Sequence, residues 1–180
     1  KAWERFFILY LIASQDKPIK EVTRYICRYD LLEAEIIFER GKKLFNQKNY
    51  LEAIKEFDLA IEEAPNLAEA YDYRRQAKAK LGDINGAILD LNQLLLIQPK
   101  NTEIYKNRGN NYRKQDSFYE AIEDYSQAIE INPDYGLAYF HRGSAYLEFN
   151  EKAKAQTSQL YKILFMSFIS LWLQLGFIIL

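Results

Sequence analysis

The sequence predicts an all-α chain built as an array of antiparallel helix pairs. Three observations carry that prediction. Pro65, Pro99 and Pro133 stand 34 residues apart. Columns of other residues keep the same step: Ala53, Ala87 and Ala121; Phe57, Leu91 and Tyr125; Ala60, Leu94 and Ala128; and Gly41, Arg75, Gly109 and Gly143. Within each period the apolar residues fall three, four or seven apart, as on one face of a helix. A helix pair of this size cannot bury its apolar face alone, so it must stack on a neighbouring pair.

Composition agrees and narrows the function. The 180 residues are 49% hydrophobic and 27% charged, so the chain has the means to form a core and is not a disordered segment. A net charge of −1 offers no basic face to neutralise phosphates, so nucleic acid is not an expected partner. The single cysteine, Cys27, allows no internal disulfide, and a reducing, cytoplasmic setting is expected. The first residue is Lys1, so the sequence reads as a fragment, a processed form or an incomplete gene model. Residues 6–13, FFILYLIA, resemble a secretion-signal core, but Glu4 spoils a basic leader and no small-x-small site follows. A buried amphipathic helix is the expectation there.

Taken in order, residues 1–33 predict a degenerate N-terminal helix pair. Its first helix covers 3–13, and Asp16-Lys17-Pro18 starts the second, with Ile19, Val22, Ile26 and Tyr29 on one face. Residues 34–67, 68–101 and 102–135 are three whole periods, and 136–155 matches the first helix and turn of a fourth. Polar turns recur at Gln47-Lys48-Asn49, Gly82-Asp83 and Gln115-Asp116-Ser117. Ser117 with Glu120 has the form of a capping box, and Asn49 with Glu52 approaches one. Arg75 and Lys78 occupy slots where small and aromatic residues are usual. Either their stems lie along the surface with charged ends in water, or that helix packs loosely. Residues 156–180 predict an apolar C-terminal helix. Its last stretch, 163–180, carries no charge and at 1.5 Å per residue approaches the thickness of a bilayer core. It reads as a tail anchor facing the cytosol, as a final helix buried against the array, or as sequence from a shifted frame.

The period, its three prolines and its alanine columns resemble the tetratricopeptide repeat family. The resemblance covers about two thirds of the chain. It implies a right-handed superhelical solenoid whose first helices line a concave groove, and a non-catalytic scaffold that binds a peptide or partner helix there without cofactor. The groove residues it implies are Lys106, Asn110, Arg113 and Lys114, with Phe38, Lys42, Asp72, Gln76 and Phe140 beside them. Lys106-Asn107-Arg108-Gly109-Asn110 also resembles the element by which some members clamp an acidic C-terminal peptide of chaperones. Here His141 stands where that clamp offers a second asparagine, and its third repeat has no counterpart.

Catalysis finds no support in the residues. His141 and Cys27 lie in different helical units, and no phosphate loop or nucleophile elbow is present. The carboxylate pairs Glu62-Glu63 and Glu56/Asp58 read as a solvated outer face. Glu35, Glu69 and Glu103 begin the first helices, while Asn46, Lys80 and Lys114 end them. Helix dipoles alone favour that polarity, and a groove that aligns a charged peptide is the alternative.

Overall fold

The computed structural model describes residues 19–176, with side-chain surroundings for residues 30–170. The expected first helix, the Asp16-Lys17-Pro18 start and the FFILYLIA stretch lie outside the described residues. Seven helices follow one another: α1 (Ile19–Asn46), α2 (Tyr50–Glu63), α3 (Ala68–Lys80), α4 (Ile84–Ile97), α5 (Thr102–Lys114), α6 (Phe118–Ile131) and α7 (Gly136–Gly176). No strand occurs among the described residues, so the all-α class is as expected. They fall into two units, one up to Lys100 and one from Asn101.

Each period builds its pair in the same way. Pro65, Pro99 and Pro133 lie two residues beyond the ends of α2, α4 and α6, where a helix can no longer continue. Between the two helices of a pair the chain reverses through one left-handed residue. Lys48, Gly82 and Asp116 take that conformation, with φ of 62°, 84° and 61°. Side-chain caps form at Asp83, which accepts from the Gly86 amide at 2.8 Å, and at Asn101, which accepts from that of Glu103 at 3.1 Å. The expected boxes at Ser117 and Asn49 make no such bond; both begin their helices without side-chain capping.

In the first unit the core gathers around Phe57. Its ring lies against Gly41 of α1 and meets Phe38 and Tyr73 at centroid distances of 5.9 and 5.8 Å. Ala53 and Ala60, one helical turn to either side, are fully buried and let α2 approach closely. In the second unit Tyr125 repeats the arrangement against Gly109, flanked by Ala121 and Ala128.

A second column holds the pairs together. Arg40, Arg74 and Arg108, 34 residues apart, each reach an acid on their own second helix: Glu56 at 3.4 Å, Asp90 at 2.6 Å and Asp124 at 2.6 Å. Arg74 also reaches back to Asp58 of the preceding pair at 2.6 Å, and Arg142 reaches Ser126 Oγ at 3.1 Å. Glu56 and Asp58 therefore each meet an arginine of a neighbouring helix; the Glu56 side chain is 24% exposed, whereas that of Asp58 keeps 49% of its surface in solvent, as expected of an outer face. Lys78 is likewise paired, at 2.9 Å to the buried Asp90, and Arg75 binds Asp72 at 2.6 Å. Their charged ends meet carboxylates, where the sequence suggested water or loose packing.

The chain does not turn after Glu148. The helix that begins at Gly136 runs on to Gly176, through the turn expected near residue 150. The register explains it. Asn150 stands in the left-handed slot and tolerates it well. The residues aligned with Ala121, Asp124, Tyr125 and Ala128, however, are Ala155, Ser158, Gln159 and Lys162. Acid, ring and second small residue are all missing, so nothing offsets the entropy of folding a second helix back. From Leu160 to Ile169 the apolar side chains of α7 are exposed. No helix among the described residues is long and apolar enough to cross a membrane; residues 177–180, which complete the 163–180 stretch of the anchor reading, lie outside them.

The clasp and the glycine seat each yield a stability test. Arg108→Ala strands the Asp124 carboxylate, 4% exposed, and is expected to cost about 3 kcal/mol in urea denaturation. Arg40→Ala, at a pair whose arginine is exposed and whose glutamate is half-buried, is expected to cost less, about 1 kcal/mol. Gly109→Ala would press a Cβ to 2.7 Å from the Tyr125 ring and 3.1 Å from the Ala121 carbonyl. It is expected to destabilise by about 1–3 kcal/mol. Gly143→Ala meets nothing within 4 Å and is expected to stabilise, by about 0.5–1 kcal/mol through helix propensity alone.

Candidate functional site

The nine expected groove residues divide between the two units. In the first, Phe38 is a core residue: it is buried between Phe57 and Tyr73 and is not available to a ligand. Lys42 lies over the Phe38 ring at 5.2 Å and donates to Glu39 at 2.6 Å. That hydrogen bond raises its pKa. Asp72 accepts from Gln76 at 2.8 Å and from Arg75 at 2.7 Å, so these two groove candidates satisfy one another.

The second unit gathers more. Lys106, Asn110, Arg113 and Lys114 follow one face of α5, at the three- and four-residue steps that align side chains on a helix. Phe140 and His141 come from α7. The Phe140 ring is exposed and meets His141 edge-on at 5.5 Å. Behind it, His141 stacks on Tyr125 at 5.7 Å, so the core ring that seats against Gly109 also floors this face. Burial pushes the Tyr125 phenol up to about 12, so it remains a proton donor. Its hydroxyl donates to Asn110 Oδ1 at 2.7 Å, while Asn110 Nδ2 has no partner among the described residues. The core thereby orients a groove amide.

The charges are partly tied down. Lys106 pairs with Glu103, which also accepts from the Tyr135 hydroxyl. Arg113 lies 3.7 Å from Glu148, and Lys114 is exposed with no partner among the described residues. Burial depresses the His141 pKa below its usual 6.5, and Arg113 and Lys106 depress it further against the pull of Glu103. Its Nδ1 is buried with no hydrogen-bond partner. Two cations, a directed amide and a neutral imidazole thus meet around one shallow face. That arrangement suits a carboxylate: an incoming anion would meet Lys106, Arg113 and an N–H donor, and would favour protonation of His141. Among the described residues no three His, Cys, Asp or Glu side chains are grouped to hold a metal.

Sequence reasoning placed His141 on the inner face of its helix but missed Tyr125, which it named for the core column. The role of Tyr125 was readable from the register, because Asn110 follows Gly109 and Tyr125 seats on Gly109.

The fold defines a helical-repeat protein. The tetratricopeptide repeat profile matches residues 102–135. Human Tetratricopeptide repeat protein 13 is 32% identical over 63% of this chain, which spans 14% of that protein. The Hsp70-Hsp90 organizing protein of Triticum aestivum is 28% identical over 59% of this chain and 18% of its own. The solved structure of the first TPR of Spaghetti (RPAP3), bound to HSP90 peptide SRMEEVD, superposes with a TM-score of 0.58. It is 24% identical and covers 65% of this chain and 93% of that one. Residues 102–135 are thus a tetratricopeptide repeat by their match to the family model, and the chain is similar to proteins that carry such repeats over about 60% of its length. It spans less than a fifth of the length of these two curated relatives.

The imidazole supplies the test. As the chain's only histidine, His141 gives one assignable NMR titration. Its midpoint is expected below 6.5 and is expected to rise in Arg113→Gln. Because its folded pKa is depressed, the unfolded state binds the extra proton first. Stability is therefore full above pH 6.5 and falls as the pH drops below it. A midpoint at or above 6.5 would contradict the described surroundings.

Proposed function

We propose that this chain is an interaction scaffold whose face on α5 and α7 receives the carboxylates of an acidic peptide. The observation that carries the reading is the convergence of Lys106, Arg113 and the unengaged Asn110 amide beside a neutral His141. Glu103 already occupies Lys106, so a ligand must outcompete it, and modest affinity with strong salt dependence follows. The peptide carried by the Spaghetti domain ends in Glu-Glu-Val-Asp and is a suitable first probe. The likeness to the organizing protein supports the choice.

Calorimetry of the full chain with that heptapeptide is expected to show saturable binding that tightens from pH 7.5 to 6, as His141 takes up a proton. Lys106→Ala and Arg113→Ala are each expected to weaken it about tenfold, the loss of one charged hydrogen bond. Amidation of the peptide's C-terminus should do the same. Binding unchanged by Lys106→Ala would reject this face as the site.

A further inference from the structure

A second surface lies on α7, apart from the carboxylate face. The notch at Gly41 receives the Phe57 ring, whose nearest carbon is 2.6 Å from where a Cβ would stand, and Gly109 receives Tyr125 at 2.7 Å. Gly143 is the next glycine of that column, and nothing lies within 4 Å of its Cβ position. The side chains around it are bare as well. Tyr139 is 46% exposed, whereas Tyr71 at the same register is 8% exposed; Tyr146 is 48% exposed. Arg142 holds the clasp position. Arg74 and Arg108 each meet a buried aspartate there, but Arg142 meets Ser126 and the Tyr139 ring and has no carboxylate partner among the described residues.

This is a half-built helix pair, and its occupied copies show what completes it. In α2 the sequence over the notch is Ala53-Ile54-Lys55-Glu56-Phe57-Asp58-Leu59-Ala60. In α6 it is Ala121-Ile122-Glu123-Asp124-Tyr125-Ser126-Gln127-Ala128. Both carry an acid directly before an aromatic ring, with alanine four residues earlier and three later. The ring fills the glycine notch, the acid meets the arginine, and the alanines allow close approach. Residues 152–165 of this chain present Ser158, Gln159 and Lys162 at three of those four positions, so they do not complete the pair.

We infer that the Tyr139–Arg142–Gly143–Tyr146 face is a docking site for an amphipathic helix of another protein bearing alanine, acid-aromatic and alanine at that spacing. The partner helix adds the missing second half of a pair, its ring against Gly143 and its carboxylate on Arg142. Apolar burial supplies the affinity and the charged contact fixes the register.

The probe is a peptide of residues 118–131, acetylated and amidated, with a lactam joining Glu123 to a lysine replacing Gln127 on its outward face. Amidation removes the terminal carboxylate, so binding here is separable from the peptide reading above. Fluorescence anisotropy against the full chain is expected to show saturable binding. Gly143→Leu, which fills the notch without disturbing a packed neighbour, is expected to weaken it at least tenfold. So are Arg142→Gln and peptides with alanine in place of Tyr125 or Asp124. Lys106→Ala should leave it unchanged. Binding that survives Gly143→Leu would mean that the peptide invades the occupied Gly109 notch, and would overturn the inference. Two other results would also overturn it. One is self-association of the free chain abolished by Gly143→Leu, which makes a second copy the occupant. The other is a spin-label separation between positions 137 and 161 well below the ~36 Å of a straight helix, which makes 152–165 the occupant.

Discussion

Closure of the first and third pairs depends on one contact, a ring pressed against a glycine backbone. The absence of a Cβ at Gly41 and Gly109 brings the two helix axes within reach, and Phe57 and Tyr125 fill the space so made. That contact also fixes the register, and with it the clasp. The residue before the ring faces the arginine before the glycine, which is why Arg40–Glu56 and Arg108–Asp124 recur with the period. In the middle pair the ring is replaced by Leu91 and the glycine by Arg75. There Asp90 takes both Arg74 and Lys78, so charge carries more of the closure. A buried pair of this kind adds little net stability over an apolar one, but it penalises any other register heavily.

The same contact builds the candidate site. Tyr125 lies with one edge against Gly109, its hydroxyl on Asn110 and its face under His141. A residue placed for packing therefore holds a groove amide and a groove imidazole. Cations divide accordingly: Arg108 is held by the buried Asp124, whereas Lys106 pairs with the exposed Glu103 and Arg113 lies 3.7 Å from Glu148.

Much of the fold was legible because prolines, alanines and glycines act through the backbone, and their spacing is read directly from the chain. The left-handed turn residues were legible as polar turns but not as one conformation, since lysine, glycine and aspartate share no side-chain chemistry. The arginine and acid columns keep the same step of 34, yet Glu56 read as part of a solvated face because the sequence does not show which side of α2 its neighbours cover. Phe38 was placed in the groove on register alone, and the aromatic cluster of Phe45, Phe57 and Tyr73 draws it into the core instead. The straight run of α7 was the hardest to foresee. Asn150 is a good turn residue, and only the joint loss of acid, ring and alanine in the following segment removes the reason to turn.

Restoring those three residues tests the account most directly. Ser158→Asp, Gln159→Tyr and Lys162→Ala together install the acid, ring and small residue opposite Arg142 and Gly143. The distance between spin labels at 137 and 161, measured by electron paramagnetic resonance, reports the outcome. The account predicts that the triple variant bends near Asn150 and brings the labels within about 20 Å, against ~36 Å in the parent. A triple variant that keeps the long distance would contradict the claim that ring, notch and clasp decide whether a helix pair closes.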